Sequence, residues 1–267
     1  MLLEKKKVVY PVLLLVLLCI FLPVKARTVI EKNMQADSIN RETFRNSKSR
    51  FPYKQLILPS ALIAYGTVET VLAGKLKLLN YGAKHEVDNH VKSKFRIDDV
   101  TQYLPAVSVY ALNLAGIKGK HNFKDRTIIL GISGLLVGTS VNLLKYTTRV
   151  ERPDKSTRNS FPSGHAAIAF MGAEFLRQEY KDVSPWYGIA GYTVAVSTGL
   201  LRVYNDRHWF GDVVAGAGFG ILSTKVAYWI YPVLQQKLSK NNKNGKNLVF
   251  MPFYNGQQGG FSLSVQL

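Results

Sequence analysis

The sequence contains a single cysteine among its 267 residues, Cys19. One thiol cannot build a disulfide framework or a cysteine zinc site, so neither stabilises this chain. The sequence also lacks a Walker loop and a dinucleotide-binding glycine fingerprint, which disfavours the common nucleotide-binding folds. Ser163 does not stand in a Gly-x-Ser-x-Gly sequence, so a serine hydrolase is disfavoured too.

Acidic residues are scarce, with 17 Asp and Glu against 35 Lys and Arg, which gives a net charge of +18. An excess of this size predicts an anionic partner. No known nucleic-acid module is present, and the basic residues are not interleaved with aromatic residues that would stack on bases. The composition therefore favours an anionic membrane surface or a phosphorylated substrate over nucleic acid.

The first 26 residues resemble a secretory signal peptide. Lysines at positions 5–7 precede an apolar run over 8–24, and Val24-Lys25-Ala26 approximates a small-x-small cleavage site. The alternative is an uncleaved anchor helix. Both interpretations predict a location in a bacterial cell envelope, and cleavage after Ala26 would leave a mature chain without cysteine.

The rest of the chain divides into three parts. We predict a polar linker over 27–54, a helical domain over 55–238, and a second linker with a β-hairpin over 239–267. The helical domain is predicted to be an all-α bundle of six helices, because six apolar stretches of helical character follow one another. They cover approximately residues 56–74, 100–117, 126–146, 165–180, 185–203 and 209–236.

Membrane association of this bundle is favoured over a freely soluble bundle. Residues 127–144 approach the length of about 20 apolar residues that a spanning helix needs. Charged residues such as Glu69 and Glu174 interrupt other stretches. The mean hydropathy of +0.01 is low for six lipid-exposed spans, so a bundle with inward polar faces or one that rests on the membrane surface stays open.

One motif is the segment Phe161-Pro162-Ser163-Gly164-His165, which leads into an alanine-rich helix. Ser163 is a natural helix cap, and the free amides of a helix N-terminus bind anions. Gly164 lets the backbone approach a phosphate oxygen closely. His165 extends from the same turn toward any bound ester. Taken alone, the segment is equally consistent with an ordinary capped helix.

A second motif is the spacing Arg202-x5-His208-x3-Asp212. His208 and Asp212 are four residues apart, so on a helix they would share one face. A carboxylate that accepts the Nδ1 proton leaves the Nε2 lone pair free for attack on phosphorus. Taken alone, the pair is also consistent with a surface ion pair.

Cations form the third element of the pattern. Lys145 stands seven residues before Arg152, which is followed by Pro153. Together with Arg202 they would hold a phosphate dianion, because guanidinium groups offer a planar fork of donors and lysine offers a point charge.

No metal site is predicted, since His85 and His90 lie in a charged loop that is more typical of a solvated surface.

The three blocks together resemble the type 2 phosphatidic acid phosphatase superfamily, which includes lipid phosphate phosphatases, bacterial acid phosphatases and vanadium haloperoxidases. The blocks occur in the family order and with the family spacing: Lys145-x6-Arg152-Pro153, Pro162-Ser163-Gly164-His165 and Arg202-x5-His208-x3-Asp212. The resemblance implies an all-α bundle with the active site at the ends of the last four helices. Leu201 departs from the pattern, because the family has a serine before this arginine.

The resemblance also implies a role for each matched residue. His208 is the nucleophile that forms a phosphohistidine, Asp212 orients it, and His165 is the general acid. The phosphate is held by a group of five residues: Lys145, Arg152, Arg202, Ser163 and Gly164.

The chain is therefore predicted to be a phosphatase that needs no metal or other cofactor. Its expected substrate is the phosphate monoester or diphosphate of an envelope lipid, such as lipid A, undecaprenyl diphosphate or a phosphatidate-like lipid, with the active site facing the periplasm. A soluble periplasmic acid phosphatase of broad specificity is the main alternative. A vanadate-loaded haloperoxidase and a basic envelope protein that binds anionic lipid without turnover are further alternatives.

Overall fold

The computed structural model describes residues 53–72, 82, 85, 96–242, 247–254 and 259–266. The predicted signal segment and nearly all of the predicted first linker lie outside these residues. A 3-10 turn over Tyr53–Leu56 leads into the first helix, and a π-helical turn over Val68–Leu72 follows it. The described part contains seven α-helices: α1 Ile57–Thr67, α2 Asp98–Thr101, α3 Leu104–Leu114, α4 Phe123–Thr148, α5 Gly164–Tyr180, α6 Pro185–Tyr204 and α7 Phe210–Asn242.

The described residues between 53 and 242 form α-helices, joined by turns, loops and the two short helical turns, which confirms the all-α prediction for this part. The predicted count of six helices does not match the seven that the described residues form. The predicted stretch over 100–117 is divided, because the chain leaves the helix after Thr101 and resumes it at Leu104. The last helix continues to Asn242, beyond the predicted end at residue 236.

Helix α5 lies at the centre of the bundle and packs against α3, α4, α6 and α7. Ala166, Ala169 and Ala173 are fully buried along it. Small side chains on a central helix let several neighbours approach at once, and larger residues such as Phe175 fill the space toward its C-terminal end.

Helix α7 approaches α5 closely because two of its contact residues are glycines. A Cβ atom on Gly216 would lie 2.5 Å from the Ser163 carbonyl oxygen, and one on Gly220 would lie 2.3 Å from the Ala167 carbonyl oxygen. Neither distance is sterically possible. The first turn of α5 is therefore held directly against the backbone of α7.

Polar contacts fix the opposite end of the bundle. The Glu179 carboxylate accepts hydrogen bonds from the Tyr228 hydroxyl at 2.6 Å and from the backbone amide of His121 at 3.0 Å. Its Oε1 atom also lies 2.7 Å from Nδ1 of His121. These contacts tie the start of α4, the end of α5 and the middle of α7 together, so the helices keep a fixed register.

Two of the helices are long and apolar enough to cross a membrane, Phe123–Thr148 and Phe210–Gln235. Only 22% of the apolar window of α4 is buried inside the protein, against 56% for α7. Leu135 and Leu143 of α4 are 70% and 61% exposed. Helix α4 therefore turns an apolar face away from the bundle.

Beyond α7, two strands pair antiparallel, β1 Asn247–Tyr254 and β2 Gly259–Gln266. The register pairs Asn247 with Gln266 and Tyr254 with Gly259.

Candidate active site

Hydrogen bonds join the three sequence blocks at one end of the bundle. Nζ of Lys145, in the last turn of α4, donates to the carbonyl oxygen of Asn159 at 2.5 Å. The backbone amide of Ser163 donates to the carbonyl oxygen of Asp212 at 3.0 Å. The end of α4, the start of α5 and the start of α7 therefore meet at one place.

His208 lies in this junction and is only 2% exposed. It stands in the turn between α6 and α7, so the predicted arrangement of His208 and Asp212 on one helix is wrong. Asp206 adopts a positive φ of 56°, which ends α6 and reverses the chain before α7 begins at Phe210. The two side chains still meet, with Nδ1 of His208 at 3.5 Å from Oδ2 of Asp212.

The Asp212 carboxylate is held by two further donors. Its Oδ2 atom accepts a short hydrogen bond from the Ser160 hydroxyl and one from the backbone amide of Trp209 at 2.9 Å. The Ser160 oxygen is itself 3.5 Å from Nδ1 of His208. Ser160 therefore bridges the imidazole and the carboxylate, and all three side chains are buried.

The surroundings of His208 keep its imidazole neutral. Burial lowers the pKa of His208 to about 4; the Asp212 carboxylate opposes this shift, while the positive charges of Lys145 and Arg202 add to it. A neutral imidazole retains a lone pair on one ring nitrogen. With Nδ1 directed toward Ser160 and Asp212, that lone pair is available at Nε2 for attack on an electrophile.

His165 lies in the first turn of α5, and its side chain is 27% exposed. Its Nε2 atom is 3.0 Å from Oδ1 of Asp99. Burial and the nearby charge of Arg202 lower the pKa of His165, while the Asp99 carboxylate acts in the opposite direction. The ring is thus close to Arg202 but more accessible than that of His208.

Ser163 is the N-cap of α5, as the sequence predicts. It adopts an extended backbone with φ −69° and ψ 114°, and its hydroxyl accepts a hydrogen bond from the Ala166 amide at 3.4 Å. Gly164 follows as the first helical residue. The helix N-terminus beside these residues carries partial positive charge, which favours a bound anion.

Arg202 is buried in the last turn of α6 and forms an ion pair with Asp98. The Asn205 amide also donates to Asp98, at 3.3 Å. Among the described residues, Nε of Arg202 has no hydrogen-bond partner. The ion pair fixes the guanidinium while leaving one of its donors for an oxyanion.

Arg152 stands in the loop between α4 and α5, and its Nε atom likewise has no partner within the described ranges. Burial lowers the pKa of Arg152, and the positive charge of Arg202 contributes in the same direction. Arg207 is bound by Asp154 at 3.4 Å, so it ties this loop to the turn that carries His208.

All eight predicted site residues thus lie around the junction of α4, α5, α6 and α7. Arg202 is the common neighbour of the two imidazoles. Its carbonyl oxygen accepts the His208 amide at 3.3 Å, and its guanidinium lies 3.7 Å from the same Asp99 oxygen that His165 contacts. The arrangement places two imidazoles of different accessibility beside a group of cations. Such a site can bind a phosphate group and transfer it to a nitrogen nucleophile.

Sequence reasoning missed three residues of the site, Ser160, Asp98 and Asp99. Ser160 directly precedes the quoted segment that begins at Phe161. The aspartates form an acidic pair in a strongly basic chain, which was the available signal. Asp98, Asp99 and His165 place three potential metal-ligand atoms within 4.8 Å of one another, but Asp98 pairs with Arg202 and Asp99 contacts His165.

An apolar groove of about 560 Å³ begins beside the site and runs between α3, α4 and α5. Lys145 and Gly164 line its polar end, and residues such as Tyr110 and Leu130 line it farther along. Another cavity, of about 630 Å³, lies between α5 and α6 and contains no residue of the motifs.

Comparisons with known proteins agree with the motifs. Residues 126–236 match the family model of the PAP2 superfamily, and this range contains all eight predicted site residues. A protein named lipid A 1-phosphatase from Porphyromonas gingivalis is 42% identical over 136 residues, which are 51% of this chain and 31% of that protein.

Two further proteins are similar. The bacitracin transport permease protein BcrC of Bacillus licheniformis is 30% identical over 107 residues, which are 34% of this chain and 51% of that protein. The aligned part of the chain therefore spans about a third to a half of these relatives. The crystal structure of Aquifex aeolicus LpxE has a TM-score of 0.44 and 22% identity, covering 57% of this chain and 95% of that chain.

Proposed function

Residues 126–236 belong to the PAP2 superfamily, and from this premise we propose that the chain is a phosphatase that removes phosphate from a phosphorylated envelope lipid. The observation that carries the proposal is the pair His208 and Asp212. A buried, neutral imidazole bound on one side by a carboxylate and surrounded by cations is suited to attack on phosphorus.

In the first step, Nε2 of His208 attacks the phosphorus atom and the bond to the lipid oxygen breaks. His165 donates a proton to the departing oxygen. The positive charge that develops on the His208 ring is stabilised by Asp212, toward which Nδ1 points. The products of this step are the free lipid alcohol, or the lipid monophosphate from a diphosphate, and a phosphohistidine.

In the second step, a water molecule attacks the phosphohistidine and gives a proton to His165. The bond between phosphorus and nitrogen breaks, and inorganic phosphate leaves. Lys145, Arg152 and Arg202 hold the phosphate oxygens in both steps, together with the backbone at Ser163 and Gly164. A bound dianion raises the pKa of His165 and so favours the protonated form that the first step needs.

A lipid substrate is supported by the apolar surface beside the site. Helix α4 is long enough to cross a membrane and exposes leucines, and its last turn carries Lys145. The relative from Porphyromonas gingivalis is named lipid A 1-phosphatase, so lipid A is our first choice, ahead of undecaprenyl diphosphate and phosphatidate-like lipids. We place the chain in an envelope membrane with the site toward the periplasm.

A phosphate-release panel tests this proposal. The purified full chain is given lipid A, undecaprenyl diphosphate, phosphatidate and a soluble aryl phosphate, with the His208→Ala variant as the control. Release of phosphate from at least one lipid by the wild type alone supports a lipid phosphatase. Hydrolysis of the soluble ester alone, with active protein in the soluble fraction after a high-salt wash, supports a soluble acid phosphatase instead.

A further inference from the structure

Two glycines of α4 lie beside open space that has no part in the proposed phosphate chemistry. Gly134 and Gly138 are half-buried, yet a Cβ atom on either residue would meet nothing within 4 Å. Gly119, by contrast, is also half-buried, but a Cβ atom on it would lie 3.0 Å from Oε2 of Glu179. These two glycines instead face open space, and both line the groove between α3, α4 and α5.

The groove has one polar end and an apolar course. Lys145 and Gly164, both assigned to the phosphate site, lie at the polar end. Gly138 is seven positions from Lys145 and Gly134 is eleven, which at about 1.5 Å per helical residue places them roughly 10 and 16 Å from it along the axis. Its volume of about 560 Å³ falls within the range of roughly 300–1,000 Å³ that ligand pockets occupy.

We infer that this groove holds the hydrocarbon chain attached to the phosphate, and that Gly134 and Gly138 determine how long a chain fits. The inference rests on the proposed function, because the polar end of the groove is the proposed phosphate site. A hydrocarbon tail that extends from a phosphate bound at Lys145 enters the groove directly. The apolar walls of the groove then shield this tail from water.

Larger side chains introduced on α4 would fill the groove, and such substitutions test the inference. Gly138→Leu places an apolar side chain near the phosphate, and Gly134→Leu places one a full turn farther away. Gly131→Leu is the matched control, since Gly131 lies on the same helix, is exposed, also has nothing near its Cβ position and does not line the groove. All three changes replace a helical glycine with the same strong helix former.

The substrates are hexyl, dodecyl and octadecyl phosphate in detergent, with a soluble aryl phosphate as the reference. Gly138→Leu is expected to reduce kcat/KM for dodecyl and octadecyl phosphate about tenfold or more, and Gly134→Leu to do so for octadecyl phosphate only. Gly131→Leu is expected to match the wild type on every ester. None of the variants should change the rate on the aryl phosphate by more than about twofold.

Equal profiles for the three variants on all alkyl esters would overturn the groove assignment while leaving the phosphatase assignment intact. A wild type that hydrolyses no ester overturns both. Gly138→Met supplies a flexible side chain at the same position and is used if Gly138→Leu does not fold, as judged by circular dichroism.

Discussion

The two imidazoles of the site share a neighbour but differ in their surroundings. Arg202 acts electrostatically on both rings. His208 is 2% exposed and has a serine hydroxyl and a carboxylate beside its Nδ1 atom, whereas the His165 side chain is 27% exposed and contacts Asp99 through Nε2. Two side chains of the same chemical type thus differ in how far they are buried.

This difference matches the roles we propose for them. A nucleophile must stay neutral until it attacks, and burial secures that state for His208 by lowering its pKa in spite of the Asp212 carboxylate. A general acid must exchange protons with substrate and water, which a more accessible ring does more readily. Because both residues are histidines, accessibility is what distinguishes the proposed nucleophile from the proposed acid.

Removal of His208 should have the largest effect. We expect His208→Ala to lower kcat on any phosphate ester by about 10⁴-fold or more, because the variant lacks the proposed nucleophile. Phosphate release under saturating substrate measures the loss, and the circular dichroism spectrum checks that the helices remain. Residual activity close to that of the wild type would show that His208 is not the nucleophile.

Removal of His165 should have an effect that depends on the leaving group. His165→Ala is expected to lower kcat by about 10²-fold or more on an alkyl phosphate, whose leaving oxygen needs a proton. On an aryl phosphate, whose leaving group is stable as an anion, the expected loss is much smaller. Equal losses on both esters would contradict the assignment of His165 as the acid.

Stability should depend on pH through His208. The unfolded imidazole binds a proton below its ordinary pKa of about 6.5, whereas burial holds the folded pKa at about 4. Between these values the unfolded state binds more protons, so stability falls as the pH is lowered through this window. From pH 7 to pH 5 the loss is about 2 kcal/mol for this one group.

Thermal unfolding of the wild type and of His208→Asn at the two pH values measures this contribution. The variant should lose less stability on acidification than the wild type, because asparagine does not titrate. The same loss in both proteins would mean that His208 does not titrate differently on folding. The lowered pKa of His165 acts in the same direction and is present in both proteins.

Removal of the Ser160 hydroxyl should have the smallest effect. Ser160→Ala deprives the Asp212 carboxylate of one of its donors and leaves the carboxylate and imidazole in place. We expect a loss of about fivefold in kcat, in line with about 1 kcal/mol for a buried hydrogen bond. Ser197→Ala is a matched control, since Ser197 lines the separate cavity between α5 and α6 and should change nothing.

The structural features that the sequence could predict are local ones. Apolar runs between loops indicated α4 to α7, and the Pro-Ser-Gly segment indicated the cap at Ser163. Contacts across the bundle left no local pattern. The Ser160 and Asp212 pair spans 52 positions, and the Asp98 and Arg202 pair spans 104. Their partners depend on how the helices pack, which motif spacing does not encode.

The shared helix face expected for His208 and Asp212 is absent for a related reason. Four-residue spacing predicts a shared helix face only when both residues are helical. His208 precedes the helix, and the Asp212 carboxylate accepts the Trp209 amide at 2.9 Å, which fixes the turn. The Asp212 side chain thus both fixes the local backbone turn and contacts the His208 ring.

Phosphate transfer to Nε2 of His208 leaves a covalent adduct that can be trapped. Wild-type protein is mixed with a ³²P-labelled lipid phosphate and quenched in alkali within the first turnover, and the labelled peptide is then sequenced. Label is expected on the peptide that contains His208 in the wild type, and none is expected in His208→Ala. Label on the His165 peptide, or turnover without any labelled protein, would contradict it.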